Sequence, residues 1–275
     1  MNERPAAPVR PAVRVTVGQL QGSADRPANR QVVGDVFRTA QHVRSDLVVL
    51  PEYASAFEPH GVGVAHAEPL DGPFVSSLRE HSAQTGVAVI AGVTLPGADE
   101  RAVNAVVAVD GSGELVGTYR KVHLYDAFGH RESDRLEPGD PSAPPVVLDV
   151  AGLRFGIMTC YDLRFPESAR RLVDAGAEVL VVPAAWADGE LKAMHWRTLV
   201  VARAIENTAA VVAVGMAGKG VVGRSLVVGP DGVVGLELDE LPGVRTVDID
   251  ATRLTDVRAT NPSLTNRRYT TTPLP

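Results

Sequence analysis

Leu47-Val48-Val49-Leu50-Pro51-Glu52 and Val179-Leu180-Val181-Val182-Pro183-Ala184 are two copies of one pattern, a short all-apolar run that ends at a proline. Runs of this kind read as strands buried on both faces, and each here follows a helical stretch. Before the first copy, a strand over 13–19 leads into a helix over 27–44, where Val32, Val33, Val36, Phe37 and Ala40 recur at helical spacing. After it come a helix over 74–85, a strand over 87–94, and a hairpin of 105–109 and 114–119 around Asp110-Gly111-Ser112-Gly113. The order recurs around the second copy. A strand over 153–159 and a helix opened by Pro166 precede the run over 178–182. A helix over 191–207, a strand over 209–214, and a hairpin of 225–228 and 233–238 about Pro230-Asp231-Gly232 follow it. Two βαβ units, each continued by a strand and a hairpin, predict an α/β fold. Its expected form is a four-layer α-β-β-α sandwich built from two similar halves rather than one doubly wound sheet. In that alignment Glu52 falls near the counterpart of Ala184, and Gln21 near the counterpart of Cys160, so strand ends of both halves converge on one cleft.

The chain has 275 residues, 45% apolar and 22% charged, enough for a single domain over 1–275 with a large core. Its net charge of −6, with no cluster of basic residues interleaved with aromatics, argues against nucleic acid as a partner. The longest apolar runs fall short of the roughly 18 residues that span a bilayer, so no membrane partner is expected. Residues 1–12 are proline-rich and lack the apolar core of a secretory signal, so they read as a loose arm. With one cysteine in the whole chain, the expected compartment is the cytoplasm.

That cysteine, Cys160, closes the strand over 153–159 and precedes Tyr161-Asp162-Leu163-Arg164-Phe165-Pro166-Glu167. It has no partner for an intrachain disulfide or a multi-thiolate metal site. Nucleophile, redox-sensitive thiol and inert apolar filler are the readings left open. None of the histidines, at 42, 60, 66, 81, 123, 130 and 195, sits in a local signature of a cysteine protease or at zinc-ligand spacing, so no metal is expected. Carboxylates offer a base instead. Glu52 is delivered to the end of a buried strand rather than to a solvated helix face, and Lys121 follows a hairpin strand amid apolar and aromatic residues.

Taken together, Pro51-Glu52-Tyr53, Tyr119-Arg120-Lys121-Val122-His123-Leu124 and the segment from Cys160 to Glu167 resemble, in that order, the Glu, Lys and Cys signatures of the nitrilase-like carbon–nitrogen hydrolase superfamily. The resemblance continues through Arg131-Glu132-Ser133, Leu136-Glu137-Pro138-Gly139-Asp140, His195-Trp196, and Ala202-Arg203-Ala204-Ile205-Glu206-Asn207 to Asn266-Arg267-Arg268-Tyr269. It implies the α-β-β-α sandwich and a Glu-Lys-Cys triad that needs no cofactor. Carried over, Cys160 is the nucleophile, Glu52 the general base and acid, Lys121 the cation that stabilises the tetrahedral intermediate, and Glu132 a second glutamate that orients the lysine. The chemistry is coherent, because a carboxylate beside a thiol takes its proton during attack and returns it to the leaving amine. The Tyr161 N–H is a further donor for the oxyanion.

Tyr161-Asp162 after the cysteine resembles the amidase branch that holds omega-amidases and deaminated-glutathione amidases, where nitrilases carry Trp-Glu. The implied substrate is a small amide bearing a carboxylate, contacted by Tyr161, Arg164 and Ala184, with the Arg164 guanidinium suited to a carboxylate. An ion pair of Arg164 with Asp162 or Glu167 is the competing reading of that arginine. An N-carbamoyl-amine hydrolase or a nitrilase is the alternative activity, and a non-catalytic binding member the third reading. The family also implies a homodimer or higher homo-oligomer, with helices such as the one over 191–207 packed across a two-fold axis and the tail over 260–275 laid on the partner.

Overall fold

The computed structural model describes residues 12–274. The expected N-terminal arm lies outside the described residues except for Ala12, which opens the first strand. In chain order the elements of the first half are β1 (Ala12–Gln19), α1 (Arg26–His42), β2 (Leu47–Val49), α2 (Pro73–Thr85), β3 (Ala88–Pro96), β4 (Ala102–Val109) and β5 (Leu115–Arg120). The second half contains β6 (Val147–Val150), β7 (Leu153–Ile157), α3 (Pro166–Asp174), β8 (Val179–Ala184), α4 (Lys192–Asn207), β9 (Ala210–Gly215), β10 (Leu226–Val228) and β11 (Val234–Glu237). The chain then returns through β12 (Gly243–Asp250), α5 (Ala251–Thr260) and the single turn α6 (Ser263–Asn266).

Two six-stranded sheets result, ordered β12-β1-β2-β3-β4-β5 and β11-β10-β9-β8-β7-β6. Read from β6, the second order repeats the first. In each sheet three central strands run parallel, β1-β2-β3 and β7-β8-β9, and the rest pair antiparallel. The registers give the duplication an exact alignment: Val17 pairs with Val49 as Ile157 pairs with Val181. Glu52 and Ala184 are therefore equivalent, and the counterpart of Cys160 is Leu20, one residue before Gln21.

Each central strand is buried on both sides because alternate residues point to different cores. Val15, Val17, Leu47, Val49 and Ile90 of one sheet meet Phe155, Ile157, Val179, Val181 and Val212 of the other. Their neighbours Val48, Leu50 and Val89 face outward onto Val33, Val36 and Phe37 of α1 and Phe74 and Leu78 of α2. Leu180 and Val182 likewise face Leu172 of α3 and Trp196, Val200 and Ala204 of α4. This is the four-layer α-β-β-α arrangement. Trp196 is fully buried, and its Nε1–H donates to Arg224 O at 2.7 Å, so it anchors α4 rather than serving chemistry.

β6, β12, α5 and α6 are additions to the element order expected from the sequence. Both strands lie at the outer edge beside β1 or β7, and β12 is mostly half-exposed, so neither carries the all-apolar signal of the central strands. Among the described residues no helix is long and apolar enough to cross a membrane.

Candidate active site

Strand ends bring the expected residues together. Glu52 lies just beyond β2, Lys121 just beyond β5, and Cys160 three residues beyond β7, at the first position of a single 3-10 turn, Cys160–Arg164. Glu132 comes from the long connection between β5 and β6 and joins them. Cys160 and Tyr53 both adopt left-handed backbone conformations, φ 45° and 56°, which cost non-glycine residues about 1–3 kcal/mol each. Strain of this kind next to both Glu52 and the thiol shows that surrounding contacts hold the two segments in place.

Those contacts can be traced. Gly92 N–H donates to Pro51 O, and Ala54 N–H donates to Gly92 O, clamping the Glu52 segment onto β3. A Cβ at Gly92 would stand 2.4 Å from the Glu52 Cα, so only glycine permits that approach. On the other side, the Asp162 carboxylate is wholly buried and accepts from Thr159 N at 2.9 Å, Tyr119 OH at 2.7 Å and His123 N at 3.2 Å. His123 Nδ1 also lies 2.7 Å from it. Asp162 thus ties the turn that carries Cys160 to the segment that carries Lys121.

The charged centre is compact. Lys121, 1% exposed, donates to Glu52 Oε1 at 2.9 Å and to both oxygens of Glu132 at 3.0 and 2.9 Å. Glu52 also accepts from Asn104 Nδ2 at 2.6 Å and, through Oε2, from Ala185 N–H at 2.6 Å. Glu132 accepts from Tyr53 OH and from Tyr125 N at 2.7 Å. Two carboxylates around one ammonium leave a net negative cluster. Burial opposes the Lys121 charge, but Glu132 and Glu52 outweigh it and hold its pKa well above the usual value. Burial would raise Glu132, yet the ammonium and its hydrogen bonds keep its carboxyl below the ordinary range. The Cys160 thiol is pushed well up, by burial first and then by the charge of Glu52, with Lys121 pulling the other way. Lys121 alone would favour a thiolate, but its charge is spent on two carboxylates, so the resting sulfur is a protonated thiol.

A cavity of about 140 Å³ opens onto this cluster, lined by Glu52, Lys121, Glu132, Cys160, Tyr161, Tyr125 and Lys192 among others. Ala184 is fully buried in β8 and does not line it, whereas Ala185 does. Arg164 does not line it either. Its Nη2 lies 3.4 Å from His195 Nδ1, and its guanidinium sits 5.4 Å from the Phe128 ring centroid and 5.0 Å from that of Trp186. No ion pair with Asp162 or Glu167 forms. Among the described residues no group of histidine, cysteine and acidic side chains is arranged to hold a metal ion.

Asn104, Tyr53, Asp162, Tyr125 and Lys192 carry no site role in the sequence analysis, although Tyr53 and Asp162 stand inside the motifs that flank Glu52 and Cys160. Asn104 had a visible signal, one amide in the otherwise apolar run Ala102-Val103-Asn104-Ala105-Val106-Val107. A wholly buried amide in such a strand must find a polar partner. Asp162 was visible as part of the Tyr161-Asp162 signature, and the burial that brings the others together is not visible in sequence.

A buried cysteine beside a carboxylate and an ammonium at converging strand ends of an α-β-β-α sandwich is an arrangement suited to hydrolysis. Residues 14–259 match the carbon-nitrogen hydrolase family, and the chain belongs to it. Among its relatives is the deaminated glutathione amidase of Escherichia coli O157:H7, 38% identical over 257 residues, which are 93% of this chain and 97% of the relative. Among solved structures, the CN-hydrolase superfamily protein XC1258 of Xanthomonas campestris, which carries an arsenic adduct in its active site, superposes with a TM-score of 0.85. That comparison has 29% identity and covers 95% of this chain and 99% of the other. An amidase of Nesterenkonia superposes with a TM-score of 0.76 at 28% identity over 90% of this chain and 97% of its own. The form compared is a glutamate-to-glutamine variant with acrylamide added to the active-site cysteine.

Proposed function

We propose that this hydrolase cleaves a small, linear, carboxylate-bearing amide to a carboxylic acid and ammonia through an acyl-thioester on Cys160. In the first half-reaction Sγ attacks the amide carbon while Glu52 takes the thiol proton. Glu52 then passes that proton to the departing nitrogen as the C–N bond breaks. In the second, Glu52 takes a proton from water as the water oxygen attacks the thioester carbon, and returns it to the leaving sulfur. Lys121 acts as a fixed positive charge beside the developing oxyanion, since all its N–H bonds already end on carboxylates. The hydrogen bond to that oxygen falls to the N–H of Tyr161, the second residue of the 3-10 turn, where backbone donors have no partner in the preceding turn.

The observation that carries this reading is the convergence of the buried Cys160 thiol, the Glu52 carboxylate and the Lys121 ammonium on one cavity. Glu52 acts on the thiol directly, since both its charge and a hydrogen bond to it are among the causes that raise the Cys160 pKa. The amide preference is supported by the amidase relative from Escherichia coli and by the Nesterenkonia amidase, whose cysteine reacts with acrylamide. A homodimer belongs to the same reading, supported by Met194 and Ile205, which α4 leaves about half-exposed, and a chain with one cysteine suits the cytoplasm.

The test is a screen for ammonia release over linear amides, nitriles and carbamoyl compounds, with the intermediate trapped by acid quench and located by mass spectrometry. The expected result is release from amides and an acyl adduct on Cys160, both lost in Cys160→Ala. Turnover that survives Cys160→Ala overturns it.

A further inference from the structure

The cavity contains a cation that the catalytic cluster does not use. Lys192, the first residue of α4, is 6% exposed and lines the same cavity as Cys160. Its Nζ donates to Tyr125 OH at 2.6 Å and lies 3.4 Å from the Phe128 ring centroid. Buried ammonium groups are ordinarily paired with a carboxylate. Among the described residues none is paired with Lys192 or with its neighbour Arg164, whose Nε is buried without a partner.

Three features oppose a positive charge at Lys192. They are its burial, the Arg164 guanidinium beside it, and the positive end of α4, which carries no acidic residue in its first turn. The first two depress its pKa, while a negative charge on Cys160 would raise it, so ammonium and sulfur sense one another across the cavity. An anion bound at Nζ would satisfy all three at once. It would replace the missing carboxylate, meet the helix end and neutralise the paired cations. Arg164, the arginine expected to suit the substrate's carboxylate, does not line the cavity and packs its guanidinium against the rings of Phe128 and Trp186.

We propose that Lys192, assisted by the Tyr125 hydroxyl, holds the distal carboxylate of the substrate, and that Arg164 acts from behind as a second positive charge without touching it. The inference rests on the amide-hydrolase reading above. The substrate class is a linear ω-amide with its carboxylate at the end opposite the scissile bond.

The test compares the full-length enzyme with Lys192→Met and Lys192→Gln on glutaramate and on valeramide, its neutral counterpart. A charge-assisted contact to the carboxylate predicts a loss of about 10- to 100-fold in kcat/KM for glutaramate, mainly through KM, with valeramide changed less than about threefold. A second readout is independent of turnover: glutarate should slow alkylation of Cys160 by iodoacetamide in the wild type and fail to do so in both variants. Equal losses on the two amides, or glutarate protection that persists without the lysine, overturn the proposal and leave the amidase reading standing. Lysine-dependent protection in an enzyme that releases no ammonia from either amide upholds the anion subsite and overturns the amidase reading.

Discussion

Replacing Glu52 by glutamine separates its role as a base from its role as a fixed charge. The carboxylate accepts from Lys121 Nζ at 2.9 Å and Asn104 Nδ2 at 2.6 Å on one oxygen, and from Ala185 N–H at 2.6 Å on the other. A glutamine must turn its NH₂ toward one of these donors, whichever way it sits. Asn104 can relieve one arrangement by flipping, because its Oδ1 has no partner. The stability cost is then about that of one charge-assisted hydrogen bond, roughly 1.5–3 kcal/mol, and the protein stays folded. The rate cost is larger. Loss of a general base removes about 10²- to 10⁴-fold, or about 2.7–5.5 kcal/mol of barrier lowering. Alkylation of Cys160 should move the other way. Burial still holds the thiol up, but the next-largest cause, the Glu52 charge, is gone, so iodoacetamide should label Glu52→Gln faster than wild type at pH 7–8. Ammonia release, labelling rate and thermal unfolding are measured on the same preparations. Ammonia release within about tenfold of wild type would refute the base assignment, and slower labelling would refute the electrostatic account of the thiol.

Lys121→Met leaves Glu52 and Glu132 buried together without their shared cation, so the urea midpoint should fall by the equivalent of about 3–5 kcal/mol; an unchanged midpoint would show the cluster tolerates two bare carboxylates. In the wild type, the raised Cys160 pKa means that thiolate is scarce at neutral pH. Its labelling rate should keep climbing as pH rises through and beyond the ordinary thiol value of 9.0, whereas a plateau below pH 8 would mean the thiolate is already formed at rest.

Much of this arrangement is legible in one dimension. The parallel strands are buried on both faces, so they appear as uninterrupted apolar runs, and their ends at Pro51-Glu52 and Pro183-Ala184 mark where backbone leaves the sheets. Edge strands β6 and β12 escape because one side meets solvent or loop and their composition is mixed. Arg164 shows the limit of motif reading. Its spacing from Cys160 is visible, but whether a long side chain enters the cavity depends on Phe128 and Trp186, which arrive from distant loops. Lys192 is the converse case, an ordinary helix-start lysine in sequence that is buried beside the nucleophile in space.

For this protein, local sequence by itself determined the duplicated strand-helix order, the proline-ended strands, and the residues Glu52, Lys121 and Cys160 that emerge at strand ends, because these follow from periodicity and short-range chain geometry. Tertiary structure alone decided that Lys121 is shared between Glu52 and Glu132, that burial and the Glu52 charge push the Cys160 thiol up, and that Lys192 rather than Arg164 lines the cavity. Those outcomes depend on burial and on charges brought within about 3 Å by chain segments 11 to 69 residues apart. Electrostatic energy depends on that spatial separation and the local dielectric, which spacing along the chain does not specify.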